Sequence, residues 1–194
     1  IAPGAKSVVV EAASDTFNDM GSAVDTARHI PGVSVGSMSW GMGESPAQTL
    51  YDGVFTTPNG HTGVTFIAAS GDGGTAAGAE WPASSPNVLA VGRPSLYLTG
   101  SGGYGNEVAW AGSGGGFSYF EPEPSYQYNV QGSGARTSPD VAFDANPYSG
   151  VAVYTTAPST GVGTWETVGG TSLGAPSWVE GQIGQVAYTA AKAG

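Results

Sequence analysis

Three β-branched runs separated by two stretches of helical spacing dominate the first 92 residues, and this alternation narrows the possible folds more than any other feature. Residues 6–12 (KSVVVEA), 33–39 and 63–70 (GVTFIAAS) read as buried strands. After the first, Ser14 and Asp15 read as helix caps, and Phe17, Met20, Val24 and Ala27 recur at helical spacing until Pro31-Gly32. Residues 47–55 carry a weaker helical pattern, and residues 87–92 (NVLAVG) add another strand. Strand–helix–strand order with short links requires right-handed crossovers and therefore a parallel sheet. Residues 95–168 have no helical period; Gly clusters and Pro-rich turns there predict antiparallel strands and surface loops. Residues 171–191 read as one helix, with Val179, Ile183 and Val186-Ala187 as its apolar stripe.

The chain has 194 residues, enough for one domain, and 40% of them are hydrophobic, so a core can form. Charged residues are only 10%, against about 25% in an ordinary domain. Five Lys+Arg face 15 Asp+Glu, a net charge of −10. Nucleic acid and anionic membrane surfaces are thereby excluded as partners, since both require a basic face. The 33 glycines and 13 prolines follow no collagen-like period and alternate with apolar runs, as in a turn-rich compact domain. Scarce lysines limit positive self-repulsion at low pH, which suits a secreted protein facing acid. There is no cysteine, so disulfides and thiolate metal sites are ruled out.

Two segments carry chemistry. In Gly169-Gly170-Thr171-Ser172-Leu173-Gly174-Ala175-Pro176 a strand gives way to a tight turn and a helix that begins at the serine. A hydroxyl there lies among helix N-terminal N–H groups, which can stabilise an oxyanion. An N-cap serine in an ordinary turn has the same local signature. Pro176 fits only near the helix start. Ser70-Gly71-Asp72-Gly73-Gly74 closes a parallel strand, where open α/β sheets place their sites, although an Asp-Gly turn alone would look alike.

With these go Ile1-Ala2-Pro3-Gly4-Ala5-Lys6, Ser37-Met38-Ser39-Trp40-Gly41, Trp81-Pro82-Ala83-Ser84-Ser85-Pro86, Gly114-Gly115-Gly116-Phe117-Ser118 and Pro139-Asp140-Val141-Ala142. In combination they resemble the sedolisin family of serine-carboxyl peptidases over nearly the whole chain. The resemblance implies an α/β fold, a subtilisin-like, doubly wound, mostly parallel sheet with flanking helices, incomplete at both ends. It implies a secreted endopeptidase working in acid through a Ser/Glu/Asp triad, with Ser172 as nucleophile. Asp72 would be a protonated oxyanion-hole donor beside the Ser172 N–H. Ser39, Trp40 and Gly41 would offer a strand edge to the substrate, and Gly114, Gly115 and Gly116 the opposite wall.

The family's catalytic Glu and Asp lie on a helix just upstream of the segment matched here by residues 1–6, and its calcium site lies well beyond the serine. Residues 1–194 therefore read as the central part of one catalytic domain, whose partners are a peptide or protein substrate and the remaining N- and C-terminal parts. No cofactor is expected within the chain; calcium is expected in the full-length protein. A non-catalytic, peptide-binding descendant is the alternative. Glu11 and Asp15 reproduce the triad spacing but read as a strand end and a helix cap. His29 and His61 read as structural; a triad using His61 would need a helix after it, where a strand is predicted. Arg93-Pro94 stands where the family pattern has Gly-Thr. Gly112–Gly116 lacks the lysine of a phosphate loop. Asp140, Asp144 and Asn146 lack EF-hand spacing and read as a solvated turn. The loop of residues 73–80, charged only at Glu80, is expected to shape a specificity pocket, and a cis bond is possible at Trp81-Pro82.

Overall fold

The computed structural model describes residues 4–144, 146–156, 161–181 and 185–191. Residues 1–3 of the first family motif and Ile183 lie outside them. In chain order the elements are β1 (Ser7–Ala12), α1 (Phe17–Arg28), β2 (Val33–Met38), β3 (Met42–Gly43), a 3-10 helix at Gln48–Phe55, β4 (Thr65–Ala69), β5 (Glu80–Trp81), β6 (Leu89–Gly92) and β7 (Pro94–Leu98). Then follow β8 (Tyr104–Ala109), β9 (Gly116–Pro122), β10 (Ala135–Ser138), β11 (Val141–Ala142), β12 (Val151–Thr156), β13 (Gly163–Val168), α2 (Thr171–Gly181) and β14 (Gln185–Ala191).

The main sheet has the order β1-β14-β2-β4-β6-β11, and all its pairings are parallel. Its two faces follow from the strand period of two. Phe66 and Ala68 of β4 point towards Val24 and Ala27 of α1. Ile67 and Ala69 point the other way, into a cluster with Val35, Val91 and the α2 residues Ala175 and Val179. The hairpins β7–β8, β9–β10 and β12–β13 are antiparallel, as the texture of residues 95–168 predicts.

Trp81 is fully buried and anchors the α1 face. The rings of Phe17, Trp40 and Phe55 lie 4.9, 5.4 and 5.6 Å from it between centroids. Such contacts add about 0.5–1.5 kcal/mol each beyond the buried area. Since Trp40 follows β2 directly, the aromatic cluster also fixes the backbone at the sheet's C-terminal edge. The Trp81-Pro82 bond is cis, and so is Ser138-Pro139.

Four expectations need correction. The cap of α1 is Thr16, whose side chain accepts from Asp19 N; Ser14 instead donates to the Asp19 carboxylate at 2.5 Å. Residues 48–55 wind as a 3-10 helix rather than an α-helix. The helix read across residues 171–191 ends at Gly181, and β14 inserts between β1 and β2. Its sequence, QVAYTAA, carries the β-branched and aromatic residues strands favour, and pairing on both edges satisfies its backbone and that of both neighbours. Finally, Asp140 and Asn146 do not form a solvated turn. Asp140 pairs with buried Arg136, four residues earlier, and Asn146 donates to Ser95 Oγ at 2.6 Å.

Candidate active site

Strands β2 and β4 end side by side, and α2 starts against them. The segments just past those ends form a hollow of about 130 Å³. Ser172 and Asp72 both line it, with Ser39, Trp40, Gly41 and Glu80 around them. This is the carboxyl edge of a parallel sheet, where strand ends diverge and side chains converge on a crevice.

The start of α2 is shaped by its neighbours. Helix begins at Thr171, so Ser172 falls in the first turn and is exposed. Its N–H has no acceptor within the helix. Its Oγ makes one long hydrogen bond, 3.4 Å to the carbonyl of Ser39. Pro176 lies past the first turn, where a missing N–H leaves the carbonyl four residues back unpaired. That carbonyl belongs to Ser172, and Ser39 Oγ donates to it at 2.8 Å. The proline thus frees an acceptor that stitches the end of β2 to the serine.

Asp72 is held from one side. Its Oδ1 accepts from Thr171 N and Thr171 Oγ1, both at 2.8 Å, and from Arg93 Nη2 at 3.0 Å. Thr171 is itself buried, and its hydroxyl accepts from Gly71 N at 3.2 Å. Oδ2 lies beside Gly170. A Cβ on Gly170 would lie 3.2 Å from Asp72 Oδ2 and 3.7 Å from Ser172 N. Both atoms therefore face one small space, which stays open because residue 170 is glycine; its φ of 116° also disfavours any side chain.

A subtilase family model matches residues 1–185. The chain belongs to the subtilase family, in its sedolisin branch. It is 37% identical over 151 residues to sedolisin of Pseudomonas sp. (strain 101), covering 66% of this chain and 24% of that one. It is 34% identical to kumamolisin of Bacillus sp. (strain MN-32), covering 91% of this chain and 35% of that protein. A solved Pseudomonas sedolisin, a serine-carboxyl proteinase complexed with two molecules of pseudo-iodotyrostatin, matches with a TM-score of 0.70 and 30% identity. That match covers 89% of this chain and 55% of that one. The chain thus spans about a quarter to a third of the curated relatives' length.

The three glycines lie beside the hollow, in the wall of a neighbouring cavity. Gly114, Gly115 and Gly116 line a second cavity, of about 840 Å³, whose other walls include Arg93, Trp110 and Pro139. The two spaces adjoin through Arg93, which lines the larger one and bonds Asp72 in the smaller. Gly114 is pressed against the segment that leads from β4 to Asp72: its N–H donates to Gly71 O at 2.7 Å, and a Cβ would sit 2.5 Å from Ser70 O. Packing thus requires glycine at 114 whatever the substrate does.

Three further residues take part whose roles the sequence does not show. Thr171 and Arg93 clamp Asp72, and Glu80 enters the hollow itself. Burial, and then the charge of Asp72, push the Glu80 carboxyl above its usual range. Arg93 is marked in the sequence by Arg93-Pro94, where the resemblance expects Gly-Thr, but its bond to Asp72 is not. Glu11, Asp15, His29 and His61 do not line the hollow. His29 caps the C-terminus of α1, its Nδ1 2.7 Å from Asp25 O. Among the described residues no group of three His, Cys, Asp or Glu gathers to hold a metal.

Proposed function

We propose that this chain is the central part of the catalytic domain of a secreted, acid-acting serine-carboxyl endopeptidase. The observation that carries the reading is an exposed Ser172 in the first turn of α2, sharing one hollow with Asp72. In the reaction Ser172 Oγ attacks a peptide carbonyl and loses its proton to a carboxylate base contributed by polypeptide outside these residues. The carbonyl oxygen becomes an oxyanion between the Ser172 N–H and a protonated Asp72 Oδ2. The base returns its proton to the departing amine, and water then releases the acyl group from Ser172. Ser39, Trp40 and Gly41 pair with the substrate backbone as an added strand. Calcium, on this reading, is held outside these 194 residues and takes no part at Ser172.

Acid action has support away from the hollow. Glu44, Asp52 and Glu121 cluster around buried Gln48, whose amide donates to Glu44 Oε1 at 3.0 Å and Glu121 Oε1 at 2.9 Å. None of the three forms a salt bridge among the described residues. Burial, reinforced by the charges of Asp52 and Glu44 and opposed by the Gln48 hydrogen bond, pushes Glu121 from 4.5 to about 7. Asp52 moves in the same direction, again mainly through burial. A carboxyl raised in the folded state favours folding most when protonated in both states. The Glu121 contribution is therefore complete below pH 4.5 and lost as pH rises to about 7. After allowance for solvent screening, about 1–2 kcal/mol of stability should disappear over that interval. Denaturant titrations of the wild type and of Glu121→Gln at both pH values check this; an equal pH slope in the two proteins refutes it.

The activity is tested with the full natural polypeptide and an unfolded protein substrate, at about pH 4 and about pH 7. Cleavage should be confined to the acid sample. Asp72→Ala should lower kcat by about 100-fold or more, the loss of one oxyanion donor. Saturable peptide binding with no cleavage at either pH would instead make the protein a peptide-binding descendant.

A further inference from the structure

Arg93, the first residue of the Arg93-Pro94 pair where the resemblance expects Gly-Thr, is built into the site. Its side chain is 1% exposed. Its guanidinium carbon lies 3.6 Å from the Trp110 ring centre, and Nη2 reaches Asp72 Oδ1 at 3.0 Å. The charge of Asp144 acts on it as well. Its backbone is tied at both ends, with Arg93 N donating to Ser113 Oγ at 3.0 Å and Trp110 N donating to Arg93 O at 3.3 Å. Burying a cation costs several kcal/mol unless its partners are well placed, so the position of Arg93 and that of the Asp72 carboxyl are mutually determined.

We propose that Arg93 is a positioning residue that, together with Thr171, selects which oxygen of Asp72 faces the reacting carbonyl. This rests on the reading of Asp72 as an oxyanion donor. Three donors converge on Oδ1: Arg93 Nη2, Thr171 N and Thr171 Oγ1. They occupy its lone pairs, and a proton on Oδ1 would point at another donor. When Asp72 is protonated the proton therefore sits on Oδ2, the oxygen facing the same space as Ser172 N. A carboxyl turns about its last torsion in a broad, two-fold well. Thr171, at the start of α2, and Arg93, in the link between β6 and β7, both donate to the same oxygen and so oppose that rotation. The proton stays on Asp72 throughout, as a hydrogen-bond donor, and no bond is made or broken at Arg93.

The test is a double-mutant cycle on kcat and KM in the full natural polypeptide. Arg93→Gln should lower kcat about 10-fold and leave KM within about twofold, because the contact acts on transition-state charge. In an Asp72→Ala background the same substitution should change kcat less than about twofold, since there is no carboxyl left to orient. Arg93→Lys, which keeps a charged donor but not the flat stack on Trp110, should recover part of kcat. If Arg93→Gln does not fold, Arg93→Lys carries the cycle, with a loss of about threefold that again vanishes beside Asp72→Ala. Equal losses in both backgrounds would make Arg93 a structural residue and overturn the proposal, as would an unchanged kcat. An unchanged kcat in Asp72→Ala itself would remove the oxyanion role on which the proposal stands, and would be recognised by that single variant.

Discussion

Replacing Ser172 with alanine should abolish peptide cleavage by the full natural polypeptide, lowering kcat by about four orders of magnitude or more, while leaving stability within about 0.5 kcal/mol. The two halves of this expectation have different origins. Ser172 is exposed, and its Oγ makes a single long hydrogen bond, so truncation creates no cavity and strands no buried group. The loss of rate is chemical: without Oγ there is no nucleophile to form the acyl-enzyme, and only the oxyanion donors and substrate positioning remain. Initial rates on a peptide substrate, paired with thermal melts, separate the two. Undiminished cleavage by a folded Ser172→Ala protein would end the proposed mechanism, and lost cleavage accompanied by a large drop in melting temperature would show that Ser172 is structural.

The largest effect on stability should come from Arg136. Its side chain is fully buried, and its guanidinium forks onto Asp140, at 2.6 Å to Oδ1 and 2.5 Å to Oδ2. It also donates to the carbonyls of Thr137 and Val88. Asp140 in turn accepts from Ala90 N at 2.8 Å and Gln127 Nε2 at 3.2 Å. One ion pair thus ties β10 and β11 to β6, the strand that leads into Arg93. Breaking a buried pair from one side strands a charge as well as several acceptors. Arg136→Met should cost about 3–5 kcal/mol, read as a fall in the urea midpoint without a change in slope. A cost below about 1 kcal/mol would mean that water replaces the guanidinium and that the clasp adds little.

The parallel core was legible because its information is local. Residues 6–12, 33–39 and 63–70 carry β-branched runs, and the helical spacing from Phe17 to Ala27 admits one dominant reading. The turn before Ser172 and the turn bearing Asp72 could likewise be recognised from their small residues. The segment at 185–191 could not. Its apolar residues suit either a helix stripe or a strand, and the choice went to the strand because β1 and β2 present a place between them. Asp140 misled for a similar reason: with Asp144 and Asn146 it reads as a solvated turn, and only Arg136, folded beneath it, makes it an anchor.

By itself, then, the sequence determined the strand–helix order and the presence of a serine and an aspartate at turns past the strand ends. Tertiary structure decided which groups meet. Asp72 and Thr171 stand 99 residues apart yet share a hydrogen bond, and Arg93 reaches the same oxygen from a third segment. Local propensity acts over a few neighbouring residues, whereas the oxygen that a carboxyl presents depends on side chains brought in from distant parts of the chain.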